Sequence, residues 1–166
     1  MKHIFVSYSR IDEEVVSHIV AHLEQDGCNV WIDREEIKAG ELWQKAIVEA
    51  VDNAYAVVLM LSSDSAVSDN VRREVDLAEG ANKKLVPVLL APVELPANLR
   101  YQLAGIEWIE YYRDPEVKYS ELIKALQANH QGFLSPQTLK LLDMELNMGN
   151  IKISTFGSEK QEDLLN

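Results

Sequence analysis

Residues 68–78 read SDNVRREVDLA, and they put one carboxylate in an unusual position. Ser68 or Asp69 can cap a helix at this point, and Val71, Val75 and Ala78 then fall on one face. Glu74 lies on that same face, three residues after Val71 and next to Val75. Carboxylates are seldom buried without a partner. Glu74 therefore either pairs with a cation such as Arg10, Arg72 or Arg73, as most helix glutamates do, or it faces a site. A half-sheltered carboxylate can stabilise growing positive charge or activate a water molecule. His18 and His22, four residues apart on one helix, are a second candidate as a metal pair. No third ligand is nearby, so they read as a solvated face beside Glu14 and Asp26.

Other chemistries lack their residues. A flavodoxin needs a glycine-rich phosphate loop after its first strand, and SYSRIDEE has none. A phosphate-accepting receiver domain needs acids there to hold Mg²⁺, where this chain has Ser7, Tyr8 and Ser9. Neither GxxxxGK[ST] nor GxSxG occurs. The single Cys28 excludes an internal disulfide and a Cys-rich metal site. No metal is expected.

The elements that must position these residues alternate along the chain. Ile4–Val6 is a short apolar strand. Ser9 followed by Asp12 resembles a capping box, after which Val16, Ile19, Val20 and Leu23 mark a helix closed by Gly27. CNVWID (28–33) is a second strand and REEIKAGE (34–41) a loop. Trp43, Ala46, Ile47 and Ala50 give a second helix. AYAVVLML (54–61) is apolar on both faces, as a central parallel strand should be. SSDSAVSDN (62–70) reads as a polar loop, and the helix of Glu74 runs on to about Asn82. KLVPVLL (84–90) is a fourth strand, whose Pro87 lacks a ladder donor and so favours the sheet edge or a bulge. APVELPAN (91–98) is a loop. IEWIEYY (106–112) alternates and is read as a fifth strand, and Tyr119, Leu122, Ile123 and Leu126 mark the last helix of the domain.

Strands alternating with helices give a parallel sheet with right-handed crossovers. The expectation is an α/β, flavodoxin-like fold of five parallel strands in the order 2-1-3-4-5, with helices on both faces. Its ligand crevice lies beyond the carboxyl ends of the strands, at SYSR (7–10), DREEIKAG (33–40) and SSDSAVSDN. The domain is expected to span residues 1–130. Residues 131–166 form a C-terminal helical extension or linker: Ser135-Pro136 opens a helix with two leucine- and methionine-rich stripes. That helix is suited to pack on the domain, on a second chain or on another protein.

With 166 residues, 47% apolar and 26% charged, the chain can build a core. Its net charge of −11 argues against nucleic acid or an anionic membrane as partner. Met1-Lys2-His3 runs directly into strand one without a signal sequence, and no apolar run approaches the length of a membrane span. The expected location is cytoplasmic.

Taken in order, FVSYSRIDEE, GCNVWIDREEIKAGELW, AVVLMLSSDSAVSDNVRREVDLA and KLVPVLL resemble a Toll/interleukin-1 receptor (TIR) domain of the bacterial, NAD⁺-cleaving kind, over residues 1 to about 130. The resemblance implies the same flavodoxin-like fold. It also implies NAD⁺ as substrate rather than cofactor, cleaved at the nicotinamide–ribose bond to nicotinamide and ADP-ribose or a cyclic form of it, commonly in defence against phage. The essential glutamate of such enzymes matches Glu74. The first loop matches at Ser9 and Arg10, and the second at Lys38, Gly40 and Leu42. Where the enzymatic pattern often has a tryptophan, four residues before the glutamate, this chain has Asn70. Trp43 either supplies a ring instead or belongs to the core with Ala46 and Ile47. Arg10 either holds a pyrophosphate or pairs with Asp33 or Glu35. The family also implies assembly with other TIR domains through loop 34–41, as a homo-oligomer, and a sensor supplied by another protein or domain. The competing expectation is a TIR–TIR interaction module without turnover.

Overall fold

The computed structural model describes residues 2–32 and 41–128, the first two residues of the second range by backbone alone. Strand β1 (His3–Ser7) leads through a 3-10 turn (Arg10–Asp12) into helix α1 (Glu13–Gln25). Strand β2 (Val30–Ile32) follows, and helix α2 (Glu41–Asn53) runs into strand β3 (Ala54–Leu61). Beyond β3 come the one-turn helix α3 (Ser63–Ala66), helix α4 (Asp69–Gly80) and strand β4 (Lys84–Leu89). Helices α5 (Ala97–Gln102) and α6 (Pro115–Gln127) complete the described fold.

The strands form one parallel sheet in the order β2-β1-β3-β4. Side chains alternate across it. Phe5, Val57, Leu59, Leu61, Leu85 and Leu89 pack on one face against α2, α4 and α5. Ile4, Val6, Ala56, Val58, Met60, Val86 and Val88 pack on the other against α1 and α6. Both faces of β3 are thus buried, as its continuous apolar run requires.

Helix α1 stops at Gly27, whose φ of 83° lies in the left-handed region. The Cys28 amide reaches back to Leu23 O (2.9 Å) and that of Gly27 to Glu24 O (3.0 Å), the paired bonds of a Schellman end. Asn82, φ 49°, ends α4 in the same way, with Lys83 N to Ala78 O (2.8 Å).

Three expectations are corrected. The fifth strand is absent from the sheet: residues 106–112 make one parallel bridge, Ile109 with Val88. There the Ile109 amide donates to Pro87 O (2.9 Å) and the Leu89 amide to Ile109 O (2.8 Å). The backbone of residue 87 therefore faces this segment, and the next ladder bond towards residue 107 needs an N–H that proline does not have. On the other side the ladder register breaks: Tyr111 N turns back to Ile109 O (2.9 Å), and Tyr112 N, one residue late, reaches Leu89 O (3.3 Å). Second, the segment 62–70 is not simply a loop. Ser62 caps α3 and forms a reciprocal capping box with Ser65. Third, no side chain caps the 3-10 turn or α1 from Ser9 or Asp12. The Asp12 carboxylate instead accepts the Ser62 hydroxyl at 2.6 Å, tying the turn after β1 to the end of β3. Lys38, Gly40 and the loop 34–40 lie outside the described residues, as do the expected domain boundary at 130 and the extension 131–166.

Candidate functional site at the strand tips

The carboxyl end of β1 with the turn after it, the start of α2, and Ser68 with the first turns of α4 surround a hollow of about 290 Å³. It is lined by Phe5 and Val6 of β1, by Tyr8, Ser9 and Arg10 after it, by Trp43 of α2, and by Asn70 and Glu74 of α4. Trp43, Asn70 and Glu74 also line an adjoining hollow of about 320 Å³ between α2 and α4. Its remaining walls include Ile47, Val48 and Leu77, with Gln44 and Arg73. The first hollow is the more polar, and Glu74 stands in the wall that the two share.

The folding of α4 explains how Glu74 comes to be there. The Ser68 hydroxyl caps the helix by accepting from the Val71 amide (3.4 Å). Val71, Val75 and Ala78 are then buried against the sheet, and that same face carries Glu74 inward to a half-buried position. Its Oε2 accepts a hydrogen bond from Ser7 Oγ at 2.5 Å. Ser7 is the last residue of β1 and is 1% exposed. Of the cations suggested as its surface partners, Arg72 pairs with Asp69 (3.2 Å). Arg10 and Arg73 each line one of the hollows that Glu74 lines.

The structure brings together Glu74, Ser9, Arg10, Trp43 and Asn70. Ser9 is half-buried, while Arg10 and Asn70 are exposed. Trp43 meets both readings of it: the ring packs against the core cluster of the α2–α4 face and also walls both hollows. Leu42 lies in α2, its side chain outside the described residues. Asp33 and Glu35, the suggested partners of Arg10, are likewise outside them. Sequence reasoning missed Ser7, Tyr8 and the pairing of Ser62 with Asp12. Their only sequence signal is a place in the polar strand-end loops, because each contact joins residues distant in the chain.

The two candidate metal histidines are engaged elsewhere. His18 Nδ1 lies 2.7 Å from Glu14 O, and the His22 ring stands edge-on to Tyr119 at 5.6 Å. Among the described residues no group of three His, Cys, Asp or Glu side chains converges to hold a metal. Nor is any described helix long and apolar enough to cross a membrane.

Comparison with known proteins yields one family profile, that of the TIR domain, matching residues 4–126. The chain is 29% identical to the NAD(+) hydrolase SARM1 of Danio rerio over 131 residues, covering 69% of this chain and 18% of that protein. It is 27% identical to the NAD(+) hydrolase sarm1 of Drosophila melanogaster, covering 67% of this chain and 9% of that protein. It thus spans under a fifth of the length of either relative. Among solved structures, the TIR domain of the Toll-related receptor TRR-2 of Hydra magnipapillata superposes with a TM-score of 0.64 at 18% identity, covering 76% of this chain and 99% of that one.

Proposed function

The chain belongs to the TIR-domain family, and from that premise we propose that it is an NAD⁺ nucleosidase whose essential group is Glu74. The observation that carries this reading is the Glu74 carboxylate in the wall of a hollow at the end of β1, which Arg10 also lines. The likeness to two NAD(+) hydrolases supports it.

In the proposed reaction the bond between the ribose anomeric carbon and the pyridine nitrogen breaks. Its electron pair leaves with nicotinamide, which becomes neutral and needs no proton. Positive charge grows on the sugar as an oxocarbenium-like state forms. A fixed carboxylate stabilises that charge more in the transition state than in the ground state, which is the requirement for catalysis. One carboxylate suffices, unlike the pair in glycosidases, where the leaving oxygen must be protonated. Water then adds to the anomeric carbon and releases a proton, with Glu74 orienting it. This gives ADP-ribose; attack by a group of the substrate itself gives a cyclic product. Arg10 is assigned to the pyrophosphate, where a guanidinium fork suits paired oxygens. Lys38 is assigned to a phosphate or the ribose edge. Ser9 and Trp43 shape the hollow, and the Asn70 amide bonds the carboxamide or a ribose hydroxyl. Gly40, in the loop 34–41, and Leu42, at the start of α2, belong to the region through which a second copy completes the site. Activation by a separate sensor, with NAD⁺ loss as the signal in defence against phage, completes the proposal.

The test is release of nicotinamide from NAD⁺ by purified protein across a range of protein concentrations. Wild type should release it, with specific activity rising as copies assemble. Glu74→Gln should lose at least two orders of magnitude, in line with loss of a preorganised charge. Equal rates for the two proteins overturn the site assignment, and a flat concentration dependence overturns the requirement for assembly. One observation favours a second reading, an interaction module without turnover. Asn70 stands exposed at the rim where a ring would stack on the substrate. Silence from protein shown by sedimentation to be assembled would establish that reading instead.

A further inference from the structure

Ser7 lies directly behind the proposed catalytic carboxylate. It closes β1, is 1% exposed and forms no part of either hollow's lining, yet its hydroxyl donates to Glu74 Oε2 at 2.5 Å. A buried hydroxyl must place its proton somewhere. Here it goes to an acid carried by a helix 67 residues away in the chain. The acceptor is half-buried, where a bond to a charged oxygen is stronger than one in water.

We propose that Ser7 is a positioning residue for the active site: from beneath the hollow, its hydroxyl holds the Glu74 carboxylate in one orientation and in its ionised form. This deepens the nucleosidase reading and rests on it. Two effects follow from the one bond. A glutamate side chain has three rotatable bonds, and a donor anchored in the sheet removes much of that freedom before substrate arrives. A donor to the ionised form also favours it over the protonated form. A carboxylate that serves by its negative charge needs both. The charged and titratable groups lining the hollows with Glu74 are Arg10, Tyr8 and Arg73. Ser7→Ala alters none of them, so a changed titration of Glu74 reports on the hydroxyl.

The experiment has two readouts on Ser7→Ala, Ser7→Thr and wild type. The first is an NMR titration of the Glu74 side-chain carboxyl carbon, which needs no turnover. Ser7→Ala should move the midpoint up by about one pH unit, and Ser7→Thr, which keeps a hydroxyl, should restore it towards wild type. The second is the pH profile of nicotinamide release. Ser7→Ala should lower kcat about tenfold, the scale of one lost bond to a charged group. KM should hardly change, and the acid limb should move with the NMR midpoint. An unmoved midpoint in folded Ser7→Ala overturns the proposal, as does a loss of rate with no change in the acid limb. Failure of the nucleosidase reading looks different: assembled wild type would then release no nicotinamide, or Glu74→Gln would keep the wild-type rate, while the Ser7→Ala midpoint still moved.

Discussion

Asn70 stands one turn before Glu74 on α4 and lines both hollows. An amide there can hydrogen-bond a substrate but cannot stack on it. Placing a ring at this exposed position adds contact area without disturbing the core. Asn70→Trp is therefore expected to lower KM for NAD⁺ roughly two- to tenfold, the range of an aromatic pair's worth, with kcat little changed. Steady-state kinetics checks this; a KM unchanged or raised would remove the rim from substrate contact. That Asn70 and Glu74 share a face was legible in the sequence, because helical spacing alone sets it. The bond from Ser7 to Glu74 was not legible, nor was that from Ser62 to Asp12. Both join residues at least 50 positions apart, and no periodicity marks such a pairing. The capping box read at Ser9 and Asp12 failed for the same reason, since the Asp12 carboxylate accepts the distant Ser62 hydroxyl instead.

Among the elements, β1, β3 and β4 were legible as apolar runs, and α1, α2, α4 and α6 by their spacing. The short helix α3 was not: its four residues carry no apolar period, and Ser62 supplies the ordering from outside it. The fifth strand was misread because the alternation of IEWIEYY was weighed without its neighbour. Pro87 favours the sheet edge or a bulge, and it also withholds the amide that a fifth strand would use. Pro87→Val restores that amide on the side facing residue 107. The amide at position 87 is then expected to exchange slowly with solvent, at least tenfold below the free-peptide rate, as a ladder bond should. Free-peptide exchange at that position would mean that more than the missing donor keeps the segment out of the sheet.

For the molecule as a whole, the buried polar groups on the α1–α6 side set a pH limit. Burial, then the Asp26 charge, pushes the Cys28 thiol from its ordinary 9.0 up to about 11. Burial, then the Cys28 charge, pushes Tyr55 from 10.0 up to about 12. A group with a raised folded value holds its proton better when folded. Its contribution is intact below the unfolded value and is lost as pH climbs through the folded one. Stability should therefore fall between pH 9 and 11, on the order of 1–2 kcal/mol from Cys28. Cys28→Ala should flatten that limb while costing some packing at every pH. Urea midpoints measured from pH 7 to 11 test this; parallel curves for the two proteins would clear Cys28 of the effect.

Glu74 is gripped from the sheet, whereas Asn70 is presented by the exposed first turn of α4. On the proposed reading, the charge and the selectivity of this crevice thus have different owners. Substitutions along the outer lip would then retune which substrate is accepted while the anion beneath keeps its anchorage.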